Sequence, residues 1–114
     1  MNMNEYQKVA LSTDIFNGKA SDITDIAFMA QVLGLVGEAG EVAEKLKKIY
    51  RDEQGKLGPG DAAEIVKELG DILWYISTLS HYLGYSLEQV AEANMVKLTS
   101  RHKRNVIKGA GDNR

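Results

Sequence analysis

Apolar residues recur at intervals of three and four along most of this chain, and β-branched and polar residues never alternate for long. That period belongs to helices with one buried face and argues against a sheet. Four segments carry it. The first fits residues 3–16 and stops near Asn17-Gly18, a pair suited to a left-handed helix end. The second is long, 23–50, with Ile26, Met29, Leu33, Val36, Val42, Leu46 and Ile49 at helical spacing. Ser21 and Asp22 precede it as candidate caps. The stretch RDEQGKLGPGD at 51–61 breaks the pattern and holds the one proline, Pro59. Asp61 then stands as N-cap of a third helix over 62–84, ended by Gly84. Ser86-Leu87-Glu88-Gln89 is a capping box, opening a fourth helix that runs to about 104. Residues 105–114, NVIKGAGDNR, read as an irregular tail. The expectation is an all-α, four-helix bundle forming a single domain over 1–114.

The third helix is apolar over most of its girth. Ile65, Leu69, Ile72, Ile76, Leu79 and Leu83 form one stripe, widened by Val66, Leu73, Trp74 and Tyr75. A helix apolar on several sides needs neighbours on several sides, and four short helices bury little surface alone. A second copy of the chain is therefore expected against it, in a dimer or a tetramer.

Composition narrows the class. At 114 residues with 44% hydrophobic positions, the chain suffices for one core. A net charge of −2 argues against a surface built to coat nucleic acid. Without cysteine there is neither a disulfide nor a thiolate metal site, which suits a reducing cytoplasm. Uninterrupted apolar runs are too short to span a bilayer, and the start, MNMNEYQKVA, lacks the pattern of a signal peptide. A cytoplasmic protein without a membrane or nucleic-acid polymer as partner is the expectation.

The candidate chemistry is acidic. Glu38 and Glu41 stand three apart on the second helix, and Glu68 and Asp71 three apart on the third. Each pair shares a helix face. If the two helices form an antiparallel hairpin, Glu41 and Glu68 both lie roughly 10–14 Å from the loop, with Glu38 and Asp71 one turn further. Four facing carboxylates repel one another, and a divalent cation relieves that. Oxygen donors without histidine or cysteine favour Mg²⁺, or Mn²⁺, over zinc. Gly37, Gly40 and Gly70 leave room for close helix approach or for a ligand. A single ExxE is usually a solvated face, with Glu41–Lys45 and Glu44–Lys48 as ordinary i,i+4 pairs. Two such pairs at matched heights, one inside the apolar run EIVKELGDILWYI, point to a site instead. Glu44 turns away from Glu38 and reads as surface.

GEAGEVAE, a gap of 26 residues after Glu41, and then ELGD resemble the signature EExxE…ExxD of the MazG-like all-α nucleoside triphosphate pyrophosphohydrolases. NEYQ, ELGDILWYI and NMVKLTSR add to the resemblance, which covers most of the chain. Gly37 stands where the signature has its first glutamate, as in the dCTP pyrophosphatase branch. The resemblance implies hydrolysis of a nucleoside triphosphate between its α and β phosphates, with Mg²⁺ held by Glu38, Glu41, Glu68 and Asp71. The pattern does not single out the carboxylate that orients the attacking water; Glu41, central in its helix pair, is carried forward for that role.

A triphosphate also needs cations. Asn94, Lys97 and Arg101 share one face of the fourth helix, and the resemblance places Asn94 and Lys97 in the family's NxxK element. Arg101 serves equally well as a complement to the helix dipole. Trp74, three residues past Asp71, either stacks on a base or packs in the core. His81 lies about 15 Å beyond Asp71 along the helix, too far to share a metal. Two other classes compete. Di-iron or di-manganese bundles use Glu-x-x-His pairs, and no glutamate here has histidine three residues on. A non-catalytic helical interaction module with a vestigial acidic cluster remains the alternative.

Overall fold

Asn2 starts the first helix. In the computed structural model, which describes residues 1–20 and 22–114, its side chain accepts from the Glu5 amide at 2.9 Å while Glu5 accepts from the Asn2 amide at 3.2 Å. Helix α1 is Met3–Ser12, four residues shorter than the apolar period predicts. Thr13 donates its hydroxyl to the Ala10 carbonyl at 2.7 Å. Asp14 then turns inward and takes the amides of Phe16, at 3.0 Å, and Gly18, at 2.9 Å. Asn17 and Gly18 do adopt left-handed φ, 57° and 69°, but inside this turn rather than at the helix end. The carboxylate competes for the amides that a longer helix would have used.

Helix α2 is Ile26–Asp52, capped by Asp25, whose side chain accepts from Ala27 at 3.0 Å. Asp22 instead accepts from Thr24 in the preceding turn, and Ser21 lies outside the described residues. Helix α3 is Asp61–Tyr82. Its N-cap is Gly60, at φ 86°, and not Asp61. The Asp61 carboxylate reaches back to the Gly58 amide at 2.6 Å from inside the first turn. Helix α4 is Leu87–Lys103, opened by the Ser86–Gln89 capping box that the sequence predicts.

The chain belongs to the all-α class, and among the described residues there is no strand. Gln31 meets Tyr82, Gly34 meets Tyr75, and Lys45 meets Glu64 and Glu68, so α2 and α3 run antiparallel along most of their lengths. Helix α1 lies across α3 and α4, and α4 packs against α1 and α3. A buried glutamine ties three helices at once. Gln7 donates to the Ser77 carbonyl at 3.1 Å and accepts from the Leu87 amide at 3.1 Å. The tail, 105–114, is irregular as predicted and folds back on α4. Arg101 and Arg104 donate to the Asp112 and Arg114 carbonyls at 2.8 and 2.7 Å.

Little of the apolar surface is covered within one chain. The described apolar side chains that are buried are Ala10, Ala27, Ile49 and Leu87, while Leu33 is 72% exposed, Val36 65% and Val66 60%. On α3 the most buried residues are Ser77, Thr78 and Ser80, and the predicted stripe is largely open at Leu69 and Leu83. The accessible surface is 8243 Å², against about 6,200 Å² for a folded monomer of this mass. The radius of gyration is 16.9 Å, against about 13 Å for a compact domain of this length. By length and composition α2 is also apolar enough to cross a membrane, which a count of uninterrupted runs misses because Glu38 and Glu41 interrupt it.

Asp14 is 4% exposed and holds four donors: the Phe16 and Gly18 amides, Gln31 and the Tyr82 hydroxyl. Asp14→Ala should take this acceptor from all four, Gln31 keeping only its 3.3 Å bond to the Tyr82 hydroxyl, and lower stability by roughly 3 kcal/mol in urea unfolding. Burial and the Asp14 hydrogen bond push Tyr82 up to about 12. Neutral Tyr82 therefore contributes fully below pH 10, and its contribution is lost as pH rises through 12. Tyr82→Phe should lower stability at neutral pH yet flatten that part of the alkaline loss.

Candidate metal centre

The antiparallel register of α2 and α3 brings the predicted acidic pairs to one height. One carboxylate oxygen from each of Glu38, Glu68 and Asp71 lies within 4.8 Å of the others. Glu41 is not drawn into this close group. It is exposed, yet its charge is still felt at Glu38 and at Lys45. The Glu38 carboxyl is held above the ordinary glutamate range, chiefly by a hydrogen bond shared with Glu68, with the charges of Asp71 and Glu41 adding to it. Glu68 is held below that range, first by Lys45. The hydrogen bond and neighbouring carboxylates thus favour the protonated form of Glu38, while the Lys45 ammonium favours the ionised form of Glu68.

A donor set made only of carboxylate oxygens, held close, with Lys45 on Glu68 as its neighbouring cation, fits a hard divalent ion. Helix geometry and the register of the pair supply it together: Glu68 and Asp71 stand three apart on one face of α3, and Glu38 faces them from α2.

Beside the acidic group runs a cleft of about 330 Å³ lined by Thr13, Glu38, Asp71, Trp74 and Tyr75. Of its aromatic walls, Trp74 is the one the sequence places there. Its indole nitrogen is committed to α1, donating to the Ala10 carbonyl at 3.1 Å and the Thr13 hydroxyl at 2.8 Å. The ring edge meets Tyr75, with centroids 4.9 Å apart. Thr13 and Tyr75 are additions that sequence reasoning misses. The signal that could have found Tyr75 is its place one helical turn past Asp71.

The close-approach glycine is Gly34, not Gly37, Gly40 or Gly70. A Cβ at Gly34 would stand 2.2 Å from Tyr75 Cε1, whereas nothing lies within 4 Å of one at the other three. The phenol ring of Tyr75 thus lies directly on the α2 backbone, one turn before Glu38.

The expected cations divide. Asn94 and Lys97 line a different cleft of about 590 Å³, with Tyr85, Gln89, Val90 and Ala93. Lys97 is exposed and held only loosely, 3.9 Å from Asp112. Arg101, expected on the triphosphate, is instead turned into the tail. It is 6% exposed and donates to the Asp112 and Gly111 carbonyls. The seven-residue spacing that aligns it with Asn94 points it into the fold, where the folded-back tail covers it. His81 and His102 are exposed, and neither belongs to the acidic group. Glu44 sits outside the group as predicted, paired with Lys47 at 3.0 Å and Lys48 at 4.0 Å.

The family model for the MazG nucleotide pyrophosphohydrolase domain matches residues 28–106. This chain belongs to that family. The matched stretch runs from the start of α2 through the end of α4 and contains all four carboxylates of the predicted site, together with Asn94, Lys97 and Arg101. A relative, the Gene 37 protein of Mycobacterium phage L5, is 44% identical over 115 residues, spanning the whole of both chains. No solved structure matches the chain. The MazG assignment accords with the four helices and the acidic group, and with the divalent cation that the group's chemistry fits.

The contact at Gly34 can be tested by substitution. Gly34→Ala should gain about 1 kcal/mol of helix propensity and still come out destabilised, by about 1–3 kcal/mol, because the ring of Tyr75 must move. Gly40→Ala, with open space around it, should show no such loss in a thermal melt.

Proposed function

We propose that this MazG-family protein hydrolyses a nucleoside triphosphate, ribo- or deoxyribo-, at the anhydride between its α and β phosphates. The products are a nucleoside monophosphate and pyrophosphate. The observation that carries the reading is the close group of Glu38, Glu68 and Asp71 beside an aromatic-walled cleft.

In this reading Glu38, Glu68 and Asp71 hold Mg²⁺, or Mn²⁺, with Glu41 close by on the same helix as Glu38. A cation held there supplies charge neutralisation on the triphosphate oxygens and acidifies a nearby water. Glu41, the carboxylate left outside the close group, is the one free to orient that water and take its proton. Water adds across the α–β anhydride, the bridging bond breaks, and the pyrophosphate half leaves with the bonding electron pair. Trp74 and Tyr75 present ring surface at the cleft, where a base can lie against them. Asn94 and Lys97 lie on a separate cleft, and their assignment to the polyphosphate rests on the family's NxxK element, with Lys97 a point charge loosely engaged by Asp112. The site works in the cytoplasm, with nucleotides and Mg²⁺ at hand.

A homo-oligomer, dimer or tetramer, belongs to the same proposal. The excess surface and the open apolar residues on α2 and α3 support it, since soluble monomers rarely leave so much apolar area uncovered. Light scattering at micromolar concentration should give a multiple of 12.6 kDa; a mass of one chain overturns this part.

Pyrophosphate release from a panel of nucleotides tests the activity. Glu38→Ala, Glu68→Ala and Asp71→Ala should each remove most turnover, and double replacements should cost little more, because residues acting as a unit are not additive. Lys97→Ala should chiefly raise KM, and Glu44→Ala should be mild. Near wild-type rates in Glu68→Ala and Asp71→Ala would mean the centre lies elsewhere. Release of phosphate alone, or of nothing from any nucleotide, favours the interaction-module reading.

A further inference from the structure

A cation is already seated on the acidic group, supplied by the chain itself. Lys45 Nζ lies 2.7 Å from Glu68 Oε1 and 3.9 Å from Glu64 Oε2, and it donates to the Glu64 carbonyl at 3.1 Å. The lysine stands on α2, one turn past Glu41, and reaches across the seam to α3. Its side chain is 30% exposed and that of Glu68 16%, so the contact is more sheltered than the surface pairs of Lys47 and Lys67, both lysines being more than 60% exposed. The ordinary i,i+4 partner, Glu41, is passed over for the carboxylate that faces Glu38 and Asp71.

An ammonium and a divalent ion draw on the same carboxylate charge, even when they take different oxygens of Glu68. A fixed positive charge a few ångströms away also repels the ion directly. We propose that Lys45 is a built-in counter-ion of the metal centre, neutralising Glu68 in the cation-free protein and weakening the grip on free divalent ions. The consequence is a centre that takes its ion well only together with an anionic substrate, whose charge offsets the ammonium. This rests on reading Glu38, Glu68 and Asp71 as a divalent-cation site.

Calorimetric titration with Mn²⁺ and with Mg²⁺ alone, without nucleotide, tests it on the full chain. Lys45→Met should bind Mn²⁺ about tenfold more tightly than wild type at low salt, the size expected for removing one unit charge near a divalent ion in a water-like medium. Added KCl should shrink the difference. Lys45→Gln, which keeps a donor to Glu68 without the charge, should also bind more tightly, and Lys45→Arg should stay near wild type. Lys47→Met, which removes the same charge from the exposed pair with Glu44, should leave affinity unchanged. In thermal melts Lys45→Met should fall below wild type without cation, and saturating Mn²⁺ should close the gap. A Lys45→Met that melts lower but binds Mn²⁺ no more tightly makes Lys45 an ordinary interhelical bridge and overturns the proposal; so does weaker binding in both Lys45→Met and Lys45→Gln. If wild type binds neither ion at millimolar concentration, the metal centre itself falls, which is a different failure.

Discussion

Negative charge concentrated in the seam between two helices is the constraint on which this chain turns. Carboxylates of Glu38, Glu68 and Asp71 come within 4.8 Å of one another because α2 and α3 run antiparallel at matched register. Any shift of one helix by a turn would relieve the repulsion and dissolve the group. The register is therefore held from elsewhere: Gln31 on Tyr82 and Asp14 at one end, the ring of Tyr75 on Gly34 near the middle, and Lys45 on Glu64 and Glu68 toward the loop. These three contacts lock a geometry that electrostatics alone would loosen.

Polar side chains join the helices where larger domains rely on apolar packing. Gln7 joins α1, α3 and α4, Asp14 joins the α1–α2 link to α3, and the indole of Trp74 fastens α3 to α1. Buried hydrogen-bonded groups are specific, since each has one satisfied arrangement and leaving it is expensive. That frees the large apolar side chains of α2 and α3 to face outward. The same division puts the aromatic wall of the cleft on α3, where Trp74 is fixed by α1 and Tyr75 by α2.

Much of this was legible in the sequence, and the misses share a cause. Apolar periodicity marks the four helices, the capping box at Ser86 marks the start of α4, and the ExxE and ExxD spacings mark the height of the acidic group. Each of these signals lies within a few residues. What is not legible depends on partners far along the chain. Helix α1 stops early where Asp14 takes the Phe16 and Gly18 amides, and Gln31 and Tyr82, 17 and 68 residues away, hold Asp14 in that place. Lys45 ignores Glu41, four residues off, for Glu68 across the seam. Gly34, rather than its glycine neighbours, is the one that must lack a side chain, because Tyr75 contributes the ring that rests on it. Arg101 shares a helix face with Lys97 by spacing, but the last turn of α4 lies under its own tail. Side-chain identity predicts the chemistry at these positions better than it predicts the partner.

Gly37 takes its meaning from the contrast with Gly34. It occupies the place of the first glutamate in the signature that the chain otherwise resembles, and a Cβ there would meet nothing within 4 Å. Packing within the chain does not forbid a side chain at that position. Gly34, one turn earlier, is the opposite case, where any substituent must displace the ring of Tyr75. One glycine is thus a lock and the other an open setting. The chain's own packing leaves room at Gly37 for a side chain to begin, and a glutamate there would add to the negative charge beside Glu38.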